Sequence, residues 1–191
     1  MKIIRKIIHI LFGCFFSILF YLNLISSIHV FYLLILSSII SFIHKYKPLP
    51  ILRELLNVLQ KPNENKFPGK GFIMFLIGIL LATRLFPKDI ALASIMILTF
   101  GDSLSEIFSA ICPYPKFSLK KGKSLFGFLI SFLASLLTAS FFVSPFLAFF
   151  GVISAIILEL FEIKIEDQIL DDNIMIPLVS GTIMFFIRYN L

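Results

Sequence analysis

Tryptophan is absent from the 191-residue sequence, cysteine appears twice, and only 15% of the residues carry a charged side chain. Each shortage excludes something. Cys14 and Cys112 lie in separate apolar stretches, too few for a disulfide framework or a thiolate zinc site. So few charges cannot coat a soluble domain of this size, which excludes a typical cytosolic enzyme, a disordered chain and a nucleic-acid binder. What is present is apolar. Hydrophobic residues make up 59% of the chain and 24 residues are Phe, against roughly 45–50% apolar usage in soluble domains. The net charge of +6 accompanies long apolar runs, so the acidic partners expected are membrane lipid headgroups or a small phosphorylated ligand, not nucleic acid.

These runs predict an all-α, polytopic membrane helix bundle forming one domain over 1–191. A spanning helix needs roughly 17–25 mostly apolar residues. Seven segments qualify, at about 7–25, 28–44, 71–87, 89–112, 124–143, 145–163 and 173–188, the third and last being short. Leu49–Gln60 is apolar, contains Arg53 and Glu54, and is too short to span, so it is expected to lie at the membrane surface. Lys61–Lys70, with Pro62, Pro68 and Gly69, reads as loop. With the N-terminus inside and the C-terminus outside, fourteen of the seventeen Lys and Arg residues fall on the cytoplasmic side, in the N-terminal segment and in loops at about 45–70, 113–123 and 164–172. Arg84, Lys88 and Arg188 face outward. The basic opening also fits a signal peptide, with Leu11-Phe12-Gly13-Cys14 as a lipoprotein-type site. Phe12 suits that pattern poorly, and six further apolar segments favour a retained first span.

Ionisable groups inside a membrane are costly and mark functional candidates. Asp102, Ser105, Glu106 and Ser109 follow the i, i+3, i+4, i+7 spacing of one helix face. The two carboxylates can converge on one cation, and oxygen ligands suit Mg²⁺, which takes one or two carboxylates plus substrate phosphates. The alternative is a polar stripe facing the bundle interior and neutralised by lysines or by protonation. Arg5, His9 and Gly13 share a face of the first span; anchoring and a satisfied interfacial histidine compete with function there. Lys120, Lys121 and Lys123 precede a helix start at which Ser124 is a natural N-cap, a place suited to phosphate, or simply to positive-inside anchoring. It is not a P-loop, because position 117 is Phe and no strand precedes it. Glu159 and Glu162 end the sixth span, and Asp171-Asp172-Asn173 opens the seventh, where capping competes with metal binding. All these groups map to the cytoplasmic half. Cations for a polyphosphate, carboxylates for a metal and an apolar surround for a lipid are the parts of a phosphoryl- or nucleotidyl-transfer site.

Arg5-Lys6-x-x-His9, Leu85-Phe86-Pro87-x-x-Ile90-Ala91, Gly101-Asp102, Lys123-Ser124-Leu125-x-Gly127, a late-span glutamate and Asp171-Asp172-Asn173-x-x-x-Pro177 occur in order over nearly the whole chain. This set resembles the dolichol kinase / phytol kinase family, integral membrane kinases that phosphorylate lipid alcohols, typically from CTP, and relatives of the phosphatidate cytidylyltransferases. The resemblance implies phosphoryl transfer from CTP or another nucleoside triphosphate to an isoprenoid alcohol, with Mg²⁺. Arg5, His9 and Asp102 would be catalytic, Arg5 and His9 stabilising the transferring charge, or His9 orienting the alcohol. Lys6, Lys120, Lys121, Lys123, Ser124 and Gly127 would bind the nucleotide phosphates. Asp102 and Asp172 would hold the metal, with Glu159 or with Glu106, which is not a feature of the family and enters from its spacing to Asp102, and Asn173 would contact the metal or a phosphate. The sequence departs from the family at Phe126, where an acid is usual, and at Ser109 and Pro113, near which glycines are expected; Glu106 is a possible substitute for the missing acid. The rivals are a cytidylyltransferase making a CDP-lipid, a transporter, and a member of the family that has lost activity. A transporter would carry polar residues through the full depth of several helices, whereas here they cluster in the inner half.

Overall fold

Seven helices are present in the computed structural model, which describes residues 2–47, 68–112, 123–160, 164–165, 168–169 and 171–190. They are α1 (Lys2–Tyr21), α2 (Ser27–Tyr46), α3 (Lys70–Leu85), α4 (Lys88–Ile111), α5 (Leu125–Ala139), α6 (Pro145–Leu160) and α7 (Asp172–Asn190). Among the described residues the only strands are β1 (Lys164–Ile165) and β2 (Gln168–Ile169), an antiparallel pair between α6 and α7. The expected surface segment 49–60 and most of the 61–70 and 113–123 loops lie outside the described residues.

Local chemistry sets the helix limits. α1 begins at Lys2 rather than near residue 7 and so carries Arg5 and Lys6 within its first turns. It ends four residues sooner than the apolar run suggests, because Asn23 turns left-handed (φ 58°) and the Leu24 N–H reaches back to the Leu19 carbonyl at 2.9 Å. Asn tolerates that conformation, and this backward bond closes the helix end. Pro87 precedes α4, and Ser124 caps α5 by accepting from the Gly127 N–H at 3.1 Å. α5 stops at Ala139, short of residue 143, where the chain turns through Phe142 before Pro145. Three helices are long and apolar enough to cross a membrane: Ile3–Tyr21, Ser27–Tyr46 and Lys88–Ile111. α3, α5 and α6 have 16, 15 and 16 residues, about 22–24 Å of helix.

α4 is the hub, packing against α1, α3, α5, α6 and α7, while α2 packs chiefly on α3. Residues 90–95 and 97–99 of α4 are all buried, as expected of a helix that is apolar all round and sits in a core. Bare glycines allow the close approaches. A Cβ at Gly13 would collide with the Thr99 side chain, and one at Gly127 would stand 2.6 Å from the Ser105 carbonyl oxygen. The outside inverts the usual rule for soluble proteins. On α1, Lys6 is 6% exposed while Leu11 is 63% exposed. Leu36 and Phe42 on α2, Leu133 and Leu137 on α5, and Phe186 on α7 are likewise exposed. An apolar surface of this extent wrapped around buried charge is the arrangement of a chain solvated by lipid.

Candidate functional site

The buried charges meet around Asp102, in the second half of α4. Its Oδ2 pairs with the Lys6 ammonium from α1, and its Oδ1 lies 3.9 Å from Lys123 Nζ, just ahead of α5. Lys6 also reaches Glu106 Oε1 at 3.2 Å, and Arg5 donates to Glu106 Oε2 at 3.5 Å. On the other flank Lys123 pairs with Glu159 of α6 and donates to Ser105 Oγ at 2.7 Å; Ser105 Oγ in turn lies 2.9 Å from Glu159 Oε1. Three bases and three acids from four parts of the chain thus form one continuous network. Lys6, Asp102, Lys123 and Glu159 are each at most 6% exposed. Buried charges of this kind persist only when paired and hydrogen-bonded.

Asp102 and Glu106 do converge on one cation, and in this structure that cation is the Lys6 ammonium. The stripe is therefore neutralised by lysines, as one of the two sequence-based alternatives requires. Among the described residues no group of three or more His, Cys, Asp or Glu side chains is arranged to hold a metal ion. Asp102 and Glu106 both face the Lys6 ammonium, Glu106 Oε1 at 3.2 Å, longer than the roughly 2.1 Å of a magnesium–oxygen bond, so the pair is arranged here for an ammonium.

The remaining expected residues divide. Ser124 and Gly127 sit where α5 meets α4: the Ser124 N–H donates to Ser109 Oγ at 2.8 Å, and Gly127 lies against Ser105 and Ser109. The amides of Ser124, Gly127 and Phe128 are thus already bonded, and those of Leu125 and Phe126 are the first-turn amides without a partner among the described residues. Phe126 packs its ring near Phe108. Asp171 caps α7 by accepting from the Asn173 N–H at 3.1 Å. Asp172 and Asn173 open that helix without a direct bond to Asp102 among the hydrogen bonds described, and the Asn173 carbonyl oxygen rests against Gly78 of α3. One turn on, Ile176 lines a cavity of about 10 Å³ that also borders Gly101, Asp102, Ser135 and Glu159, room for about one water molecule. Lys120, Lys121 and Glu162 lie outside the described residues.

His9 stands one turn from Arg5, with its ring 4.6 Å from that of Phe75 on α3, and its buried Nε2 has no hydrogen-bond partner among the described residues. Sequence reasoning assigned Lys6 and Lys123 to phosphates and so missed their pairing with Asp102 and Glu159. It also passed over Ser103 and Ser135, whose hydroxyls are buried and unpartnered among the described residues. The i+4 spacing from Thr99 to Ser103 on a buried helix was the available signal.

Among its described residues the protein is helical apart from one two-residue strand pair, with three apolar helices of membrane length and a buried, self-neutralised charge network. It belongs to the same family as the uncharacterized protein MJ1137 of Methanocaldococcus jannaschii, with which it shares 32% identity over 193 aligned positions, covering 96% of this chain and 92% of the relative. No family model matches the chain, and no solved structure matches it.

Proposed function

We propose that the protein is an integral membrane kinase, transferring a phosphoryl group from CTP or a related nucleoside triphosphate to a lipid alcohol of isoprenoid type. The proposed topology has seven spans, with the N-terminus inside, the C-terminus outside and the site at the cytoplasmic rim. The observation that carries the reading is the network around Asp102. Six ionised groups gathered in the interior of an apolar bundle are expensive, and they lie beside the helix start that the Lys123-Ser124-x-x-Gly127 sequence forms.

In this reading Asp102 and Glu106 would hold Mg²⁺, with Glu159 joined to the same network through Lys123 and Ser105; Asp172 and Asn173 are assigned to the metal by the sequence resemblance. The ion supplies charge neutralisation of the transferred phosphate when bound. Lys6 and Lys123 exchange their carboxylate partners for phosphate oxygens when nucleotide arrives. Arg5, 17% exposed at its side chain, is the cation best placed to meet a ligand from outside the bundle. The protein acts by positioning and by fixed charge, as phosphoryl transfer requires. Lys120 and Lys121, which lie outside the described residues, are assigned to the nucleotide phosphates by the sequence resemblance alone.

The test uses purified protein with CTP and geranylgeraniol or phytol. Asp102→Asn is expected to reduce turnover by at least 100-fold, on the order of 2.7 kcal/mol of transition-state stabilisation. Turnover like that of the parent protein removes Asp102 from the reaction. Release of pyrophosphate with phosphatidate, and no product from an alcohol, selects a cytidylyltransferase instead. The pairing of every described carboxylate in the network with a base favours one second reading, a charge core kept for structure alone. Saturable CTP binding counts against it.

A further inference from the structure

Of the buried polar atoms without a hydrogen-bond partner among the described residues, His9 Nε2 on α1 and Ser103 Oγ on α4 are the two nearest the charge network in the seam between these helices, Ser17 Oγ being about two turns further along α1. The helices run antiparallel, as their contacts show: Gly13 meets Thr99, while Arg5 and Lys6 meet Glu106. His9 is four residues from both Arg5 and Gly13. Ser103 is four residues from Thr99 and three from Glu106. The two therefore stand at the same level of the seam, one turn deeper than the ion pairs. His9 Nε2 and Ser103 Oγ are both buried without a hydrogen-bond partner among the described residues, and Ser103 is 0% exposed.

Ser103 differs from its neighbours. Ser94, Thr99 and Ser105 each donate to a carbonyl of their own helix, at 2.8, 2.7 and 3.1 Å, and Ser109 accepts the Ser124 N–H. Such back-bonding is the easy solution for a hydroxyl in an apolar helix, and Ser103 does not take it. A buried hydroxyl and a buried imidazole nitrogen left unpaired are costly. Beside them α1 meets α3 through aromatic rings: His9 with Phe75, Phe12 with Phe72 at 5.4 Å, and Phe16 with Phe75 at 6.4 Å.

We infer that His9 and Ser103 form the hydroxyl-recognition site for a long-chain alcohol, whose tail leaves the seam past Phe12 and Phe72, the accessible rings at the contact of α1 with α3. The inference rests on the lipid-alcohol reading above and supplies its acceptor subsite. An alcohol oxygen is both donor and acceptor, so one O–H group satisfies an imidazole nitrogen and a serine hydroxyl together. An apolar tail matches the exposed ring of Phe12 and the half-buried ring of Phe72 beside it. The site lies next to the Lys6–Asp102 pair, which puts the alcohol oxygen beside the groups assigned to the phosphates.

The experiment measures equilibrium binding of radiolabelled geranylgeraniol and of its methyl ether to the full chain in lipid nanodiscs, with thermal unfolding in parallel. The parent protein is expected to prefer the alcohol. Ser103→Ala and His9→Gln should each cut that preference about fivefold, the loss of one hydrogen bond. Ser103→Ala should leave the unfolding temperature unchanged or raise it, because it removes a buried unpaired hydroxyl. A lowered unfolding temperature with an unchanged alcohol-to-ether ratio overturns the inference and assigns the pair a structural role. The kinase reading survives that result if the parent protein phosphorylates geranylgeraniol. A parent protein that binds neither compound and yields no product overturns both.

Discussion

Asp102 is a carboxylate shared by two lysines, so removing a single partner leaves charge stranded in a nearly dry interior. Glu159, 2% exposed, shows this most directly. Glu159→Leu takes the closest carboxylate away from the buried Lys123 ammonium, whose other acid partner, Asp102 Oδ1, is 3.9 Å away, and is expected to cost about 3 kcal/mol. Adding Lys123→Met to that variant should recover most of the loss. Chemical unfolding of both variants in detergent checks it; a double variant no better than the single one would mean that the pair is not a unit. At the other end of the bundle Arg188 and Asp89 pair at 2.6 Å, with side chains 27% and 40% exposed. Arg188→Ala should change stability by less than about 1 kcal/mol, and less still in high salt. These charged positions were legible in the sequence, because ionisable residues stand out in apolar runs. Their partners were not, since Lys6 and Asp102 are 96 residues apart and no local spacing connects them.

At the scale of elements, bare backbone sets the distances. Gly127 brings α5 against Ser105 and Ser109 of α4, and Gly13 brings α1 against Thr99. Gly127→Val is expected to destabilise the fold by about 1–3 kcal/mol through overpacking, and to disturb the Lys123–Glu159 pair, because Lys123 lies just before the same helix start. A downward shift in unfolding temperature in detergent checks it; stability like that of the parent would show that α5 can withdraw without loss. The existence of all seven helices was legible from apolar runs and proline punctuation. Their limits were less so. α1 reaches back to Lys2 because its basic first turns have buried acids to meet, and it stops at Tyr21 because of Asn23. Neither reason is visible in hydrophobicity. The capping of α5 by Ser124 was readable, since a serine before an apolar run carries its own mechanism.

For the molecule as a whole, the proposed orientation places Lys45 inside and Arg84 outside. In a background lacking Cys14 and Cys112, Lys45→Cys should react with a membrane-impermeant maleimide only after the membrane is opened, and Arg84→Cys in intact cells. The reverse pattern inverts the topology and moves the charge network to the outer face. The helical class followed directly from composition, because 59% hydrophobic residues with 15% charged ones leave few other ways to satisfy a backbone in lipid. The central place of α4 did not follow. Seven apolar segments look alike along the chain, and only packing shows that one of them touches five others.

The order of the ion pairs along the chain bears on how the protein is made. Lys6 precedes Asp102 and Glu106, and Lys123 precedes Glu159. During synthesis each of these acids therefore emerges behind a base that is already present to receive it. α4 carries two carboxylates that would resist transfer into lipid alone, yet α1 is waiting with their counterions. The same connectivity that builds the site also eases biogenesis: a nascent chain stalled before α5 already has Arg5 and Lys6 to pair with Asp102 and Glu106, whereas a chain lacking α1 presents them bare to the insertion machinery.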